Sequence, residues 1–288
     1  MEKKRLPYPF KTIATAIAFS PRLEFILCES KHLAGLFDAG LLLVHVGKKT
    51  QDKEAKLNQL IKKLSISKEK INVIWKQGEA ADTLLAACKE HLVDLLVLGA
   101  IEKESLLKYY LGSIARTVSR RAKCSVLLLT EPSCEAKPFH KIVVNGTEHP
   151  KTKYTLETAL YLAKANDSSE LYVVREKKLY SLTTVVTEDS SETEAKKIKK
   201  SFIEDENVKL EEMVKNTAID TSLKIKTKLL SGKAGYCTGN FARKIKADLL
   251  VVNSPDSRLG IIDRLFPHDL EYILEDLPTN LLIVHSRI

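Results

Sequence analysis

Residues 71–130 of the chain recur, without a gap, 154 positions later: Gly78 falls on Gly232, Asp94 on Asp248, Leu95 and Leu96 on Leu249 and Leu250, and Leu127 and Leu128 on Leu281 and Leu282. A solenoid repeat runs about 20–50 residues, so a period of this length reads as a whole domain copied once. Further upstream Phe10–Pro21 (FKTIATAIAFSP) matches Phe139–Pro150 (FHKIVVNGTEHP) at an offset of 129. The difference, 154 − 129 = 25 residues, is extra chain in the second copy, placed around Lys177–Lys200, where apolar periodicity fades.

With 288 residues and 44% hydrophobic content the chain can bury two cores of ordinary size. No apolar run reaches the roughly 18–20 residues a bilayer span needs, and the N-terminus MEKKRLPYPF lacks the apolar core of a secretion signal. A cytoplasmic protein without a membrane partner is expected. Five cysteines, an odd number without zinc-type spacing, suggest reduced thiols, with Cys28, Cys88 and Cys124 as small core residues and Cys134 and Cys237 better placed to react. The net charge of +9 divides unevenly: residues 1–138 hold 23 basic against 15 acidic side chains (+8), the remainder 23 against 22 (+1). Without interleaved aromatics the lysines read as solvated surface, which argues against a nucleic-acid partner. His45, His149, His268 and His285 lack metal-ligand spacing, and His45, on an apolar strand, reads as a hydrogen-bonded core histidine.

Short apolar runs alternate with helical patterns throughout, the signature of a parallel sheet built from strand–helix–strand units. The first half predicts strands at 12–19, 41–46, 71–76, 95–99 and 125–129, and the second at 141–144, 170–174, 223–230, 249–253 and 280–284. Pro132, Ser133 and Pro138 mark the joint. In an open parallel sheet ligands bind beyond the carboxyl ends of the strands, where the winding reverses. With strand order 3-2-1-4-5 the residues to read are those after Phe19 and Gly99. Gly99 is followed by Glu102, nine residues, and then Gly112 and Ser113 opening a helix. The free N–H groups of Gly112, Ser113 and Ile114 suit a phosphate.

This arrangement resembles the Gly-x2-Gly-x9-Gly-Ser/Thr signature of the universal stress protein family. DLLVLG before it, LGSIARTVSRRAKCSVLLL after it, AFSP at the first strand and LLLVHV as the second extend the likeness over nearly the whole chain, as two tandem family domains. The resemblance implies an α/β nucleotide-binding domain whose fifth strand pairs two domains about a twofold axis. In nucleotide-binding members an Asp after the first strand and a Val in the second hold the adenosine, and the glycine loop with its Ser holds the phosphates. By position these become Ala18, Val46, Gly99, Glu102, Gly112 and Ser113. Two have changed. Ala18 removes a carboxylate, and Glu102 adds one where phosphates would lie, at about 3 kcal/mol per like-charge pair near 5 Å and an effective dielectric near 20.

In the second half the same spacing reads Asn253, Ser254, Pro255, Asp256 and then Phe266-Pro267. Both glycines and the serine are lost, and a proline offers no N–H. That half reads as structural. The chain is therefore expected to be α/β: two tandem doubly wound five-stranded parallel-sheet domains, pseudo-twofold related, spanning 1–137 and 138–288. They would form an intramolecular pseudo-dimer through Ser125–Leu129 and Asn280–Val284, with a further homodimer left open. No nucleophile with a base partner and no P-loop stands out, so no catalytic residue, metal site or enzyme is assigned. The expected role is a stress-response regulator whose N-terminal half binds ATP or another adenine nucleotide with magnesium, or another phosphorylated ligand. The alternative is a scaffold that binds no nucleotide and contacts a partner protein.

Overall fold

The computed structural model describes residues 6–67, 69–103, 108–135, 137–177, 192–217, 223–255 and 267–285. They fall into two compact units, Met1–Pro138 with Asn280–Ile288, and Phe139–Thr279. The first contains β1 (Thr12–Ala16), α1 (Leu23–Leu36), β2 (Gly40–Val46), α2 (Gln51–Lys63), β3 (Ile71–Lys76), α3 (Ala80–Glu90), β4 (Leu95–Gly99), β5 (Ile101–Lys103), β6 (Lys108–Tyr110), α4 (Ser113–Arg121) and β7 (Ser125–Leu129). The second contains β8 (Lys141–Asn145), α5 (Thr152–Ala165), β9 (Glu170–Lys177), α6 (Glu192–Thr217), β10 (Lys224–Ser231), α7 (Tyr236–Lys244), β11 (Leu249–Asn253) and α8 (Pro267–Glu275). The chain then returns to the first unit as β12 (Asn280–Val284).

The sheet of the first unit runs β3-β2-β1-β4-β7, the expected 3-2-1-4-5 order, with every one of these pairs parallel. β12 adds to β7 antiparallel, setting Leu128 against Leu281 and Val126 against Ile283. In the second unit the order is β10-β9-β8-β11, again parallel. The central strands are apolar and buried along their length, as in Leu95–Leu98 and Leu249–Val252, because helices cover both faces. Thr50 starts α2 by accepting from the Lys53 amide, and Glu79 starts α3 by accepting from that of Asp82. Part of the extra chain lengthens one helix: α6 has 26 residues where α2 has 13.

The duplicated residues do duplicated work. Asp94 Oδ2 accepts from the backbone N–H groups of Lys11 and Thr12, both at 2.9 Å, and Asp248 Oδ2 accepts from that of Lys141 at 2.8 Å. The amides of Asp94 and Asp248 return bonds of 2.8 and 2.9 Å to the carbonyls of Thr12 and Lys141. Each unit thus ties the amino end of its first strand to the residue that precedes its fourth. Gly78 and Gly232, at φ +140° and +145°, carry the turn into α3 and α7, where a Cβ would lie 2.6 Å from Thr83 Oγ1 and 2.5 Å from Cys237 Sγ.

Two expectations are corrected. Residues 101–103 and 108–110 form an antiparallel hairpin, Ile101 opposite Tyr110, within the stretch between Gly99 and Gly112 where no strand was expected. Three-residue strands are too short to show a period. Cys28 and Cys134, read as reduced, are joined by a disulfide. The segment after β7 runs back along α1, where the Ser133 amide also donates to Glu29, and nothing in the spacing of 106 residues announces that return. Burial raises the Glu29 carboxyl above its ordinary value, with Ser133 and Lys137 opposing. Cys88 and Cys124 are buried, their mutual hydrogen bond and burial pushing the Cys88 thiol up. Burial and Glu176 likewise raise the Cys237 thiol, which lowers its thiolate fraction.

Removing the Asp94 carboxylate strands two N–H donors beside a side chain that is 3% exposed. Asp94→Ala is expected to destabilise the chain by about 2–4 kcal/mol in urea unfolding, and Asp94→Asn, which keeps one acceptor, by less.

Candidate functional site

The carboxyl edge of the first unit gathers most of the residues singled out above. β1 and β4 lie side by side at its centre, and α4, which leads into the parallel strand β7, must begin at this edge. Ala18 is exposed just past the end of β1, Val46 closes β2 and Gly99 closes β4. Gly112 is the N-cap of α4 in extended conformation, and Ser113 and Ile114 are its exposed first residues. No acidic residue stands in that first turn, so the positive end of the helix is uncompensated by its own side chains. Glu102 has its backbone opposite Tyr109 in the hairpin, and its side chain lies outside those described.

A residue the sequence reading passed over sits at the centre of this edge. Arg22, preceding α1, donates from Nη1 to the carbonyl of Ala100 at 2.6 Å and from Nη2 to that of Thr130, bridging the chain just beyond β4 and β7. The second unit has the same latch. Lys151, 129 residues on, reaches the carbonyls of Ser254 and Pro255, both at 3.3 Å, and Ser254 is Ala100 displaced by 154. A basic residue following each first strand was the available signal. It was unread because the expected charge there was negative.

Packing accounts for Gly99. A Cβ there would lie 2.7 Å from Ile26 Cδ1, so the glycine admits α1. In the second unit Thr155 stands where Ile26 stood and Asn253 where Gly99 stood, and the two side chains hydrogen-bond, with Asn253 also donating to Thr152 at 3.0 Å. An apolar side chain over a glycine has been exchanged for a polar pair.

At the ends of β1–β3, Phe19, His45 and Trp75 form an aromatic cluster, with Phe19 stacked on Trp75 at 6.0 Å and both edge-on to His45. Lys53 lies 5.5 Å from the Phe19 ring centre and Lys49 5.8 Å from that of Trp75. His45, 7% exposed, is the expected core histidine: Nδ1 bonds the Ile17 carbonyl at 2.9 Å, leaving Nε2 as acceptor 3.4 Å from Lys53 Nζ. By strand register its counterpart is Arg175, whose Nε donates to the carbonyl of Gly146 at 2.8 Å, the position equivalent to Ile17.

Around Arg175 lies an ionic cluster. Glu206, 2% exposed, receives Lys177 at 2.9 Å, Lys209 at 3.1 Å and Arg175 at 3.5 Å, while Lys177 also pairs with Glu148. Burial pushes the Glu206 carboxyl upward, but Lys177 and Lys209 outweigh it and hold it below its ordinary value. A cavity of about 480 Å³ opens beside this cluster, at the carboxyl ends of β8 and β9. A cavity of similar volume in the first unit lies at the opposite, amino ends of β1–β3, beside Gly40, Lys70 and His91. Among the described residues no group of three His, Cys, Asp or Glu side chains could hold a metal ion, and no helix is long and apolar enough to cross a membrane.

Residues 47–130, from the end of β2 through β7, match the universal stress protein family. Over nearly its full length the chain also shares the fold of a functionally unknown protein from Pseudomonas aeruginosa PAO1, with a TM-score of 0.69 at 17% identity covering 96% of this chain and 93% of that one. A universal stress protein from Archaeoglobus fulgidus DSM 4304 gives a TM-score of 0.62 at 14% identity over 96% of each chain. The two-unit plan of the present chain is thus shared with structural neighbours matched over nearly their full length.

The Glu206 carboxyl, lowered on folding, contributes stability above the ordinary value of 4.5 that is lost as pH falls through the folded-state value beneath it. Acid titration of the unfolding free energy should show this slope and Glu206→Gln should remove it. At neutral pH the same substitution, which leaves three cations without their shared partner, is expected to cost about 3 kcal/mol.

Proposed function

We propose that the protein is a non-catalytic, ligand-responsive regulator of the universal stress type, whose first unit seats a phosphorylated anion, with an adenine nucleotide and its magnesium as the first candidate. Gly112, Ser113 and Ile114 would supply backbone and hydroxyl donors, Gly99 and Val46 the floor and wall, and Ala18 a gap where the family's acid would stand. The observation that carries this reading is Arg22: its guanidinium is anchored on two carbonyls at the carboxyl edge, with further N–H donors left for an anion. A site that lost a carboxylate at Ala18 and keeps a fixed cation nearby favours negative charge. The reported relatives support the fold and leave the ligand to experiment.

A specific feature favours a second reading, the scaffold that binds a partner protein. Gly99 is accounted for by Ile26, and a hairpin occupies part of the stretch between Gly99 and Gly112. Titration calorimetry with ATP and magnesium separates the two. Saturable binding that falls about tenfold or more in Ser113→Ala, Gly112→Val and Arg22→Ala is expected on the first reading. Glu102→Gly should strengthen it by about tenfold to a hundredfold by removing a like charge. Absence of any saturable heat at millimolar ATP leaves the scaffold.

A further inference from the structure

The second unit, read from its sequence as structural, contains an incompletely satisfied buried cation facing a cavity. Arg175 is 4% exposed. Of its donors, Nε has a carbonyl, Gly146, at 2.8 Å, but among the described residues Nη2 meets only the thioether of Met213 at 3.9 Å, and Nη1 approaches Glu206 no closer than 3.5 Å. A guanidinium carries five N–H groups, and a thioether sulfur is a weak acceptor. Arg175 and Met213 both line the cavity of about 480 Å³, so the weakly bonded edge of the fork borders empty space. That volume is within the range of about 300–1,000 Å³ common for small-molecule sites.

The charges indicate what would fill it. Three cations, Arg175, Lys177 and Lys209, stand against three carboxylates, Glu206, Glu148 and Glu212, so the charges balance overall and the pull on an anion is local to the weakly bonded fork of Arg175. Glu148 and Glu212 also line the cavity, so a polyphosphate would meet repulsion at the rim. Met213 and Pro150 offer apolar surface, and Thr147 and Asn216 polar groups. We infer that this cavity binds a small organic monocarboxylate, with its carboxylate accepting the paired N–H groups of Arg175 and its body lying against Met213 and Pro150. The planar fork of arginine matches a carboxylate in a way that a lysine ammonium does not. The first unit has no equivalent, since His45 there is bonded at Nδ1 and enclosed by Phe19 and Trp75.

The test uses the full chain and benzoate, with benzamide as the uncharged molecule of the same shape. Calorimetry and thermal shift should show saturable benzoate binding in the millimolar range, little for benzamide, and a loss of about tenfold in Arg175→Lys. Because Arg175→Lys could disturb the fold, Met213→Glu is the second arm: it places a carboxylate where the thioether now meets Nη2, and should raise the melting temperature and abolish benzoate binding. Equal binding of benzoate and benzamide, no saturable benzoate binding, or benzoate binding unchanged in Met213→Glu would overturn the inference. The ATP titration bears on the first unit alone, so either site can fail without the other.

Discussion

A carboxylate placed against the amides of a neighbouring strand end sets the frame of each unit. Asp94 and Asp248 accept from the amino ends of β1 and β8 and return a backbone bond to the same strands, which fixes the first strand beside the fourth. That adjacency creates the reversal of winding at the centre of the sheet, and the reversal leaves room at the carboxyl edge. An acceptor buried with its donors satisfied is worth more to register than to net stability, because any slip strands all of them together. The same adjacency brings residue 22 within reach of Ala100, and residue 151 within reach of Ser254.

The copies have diverged as touching pairs. Ile26 over Gly99 became Thr155 bonded to Asn253, and Arg22 on Ala100 became Lys151 on Ser254. His45 on Ile17 became Arg175 on Gly146. A glycine under Ile26 exchanged alone for asparagine would have met that side chain, a costly overlap in close-packed surroundings. Paired exchange keeps volume and hydrogen bonding together. Loss of the glycine signature in the second half therefore marks a change in what lies beside β11, and the architecture survives it.

Much of the fold was legible because its signals are local. Five-residue apolar runs between helical patterns located β4, β7, β11 and β12, and the repeat offsets paired Asp94 with Asp248 before either was seen to bond. What escaped depends on contacts between distant segments. The Cys28–Cys134 bond needs the return of the chain along α1, and the β5–β6 hairpin is shorter than any readable period. Arg22 and Arg175 are single charged residues in a chain with 46 lysines and arginines, and nothing local distinguishes one held on backbone carbonyls from one that is solvated. Expectations for the site were drawn from the family's acid and glycines, so attention went to the residues lost and passed over the cations stationed nearby.

The two units solve one electrostatic problem differently. Each brings a basic residue to the carboxyl edge, where strand carbonyls point and a cation is favourably placed. In the first unit the neighbouring second-strand residue is an imidazole within an aromatic cluster, and the basic group anchored at that edge is Arg22, near the start of α4. In the second unit that position is a guanidinium, and a buried guanidinium must be neutralised. α6 supplies Glu206 for the purpose, but Glu206 is shared with Lys177 and Lys209 and stands 3.5 Å from Arg175. One carboxylate divided among three cations leaves the innermost poorly paired, at a point where the lengthened helix holds a cavity open beside it. Burying Arg175 where, among the described residues, Nη2 meets only a thioether costs stability, and an acceptor entering from the cavity would recover it.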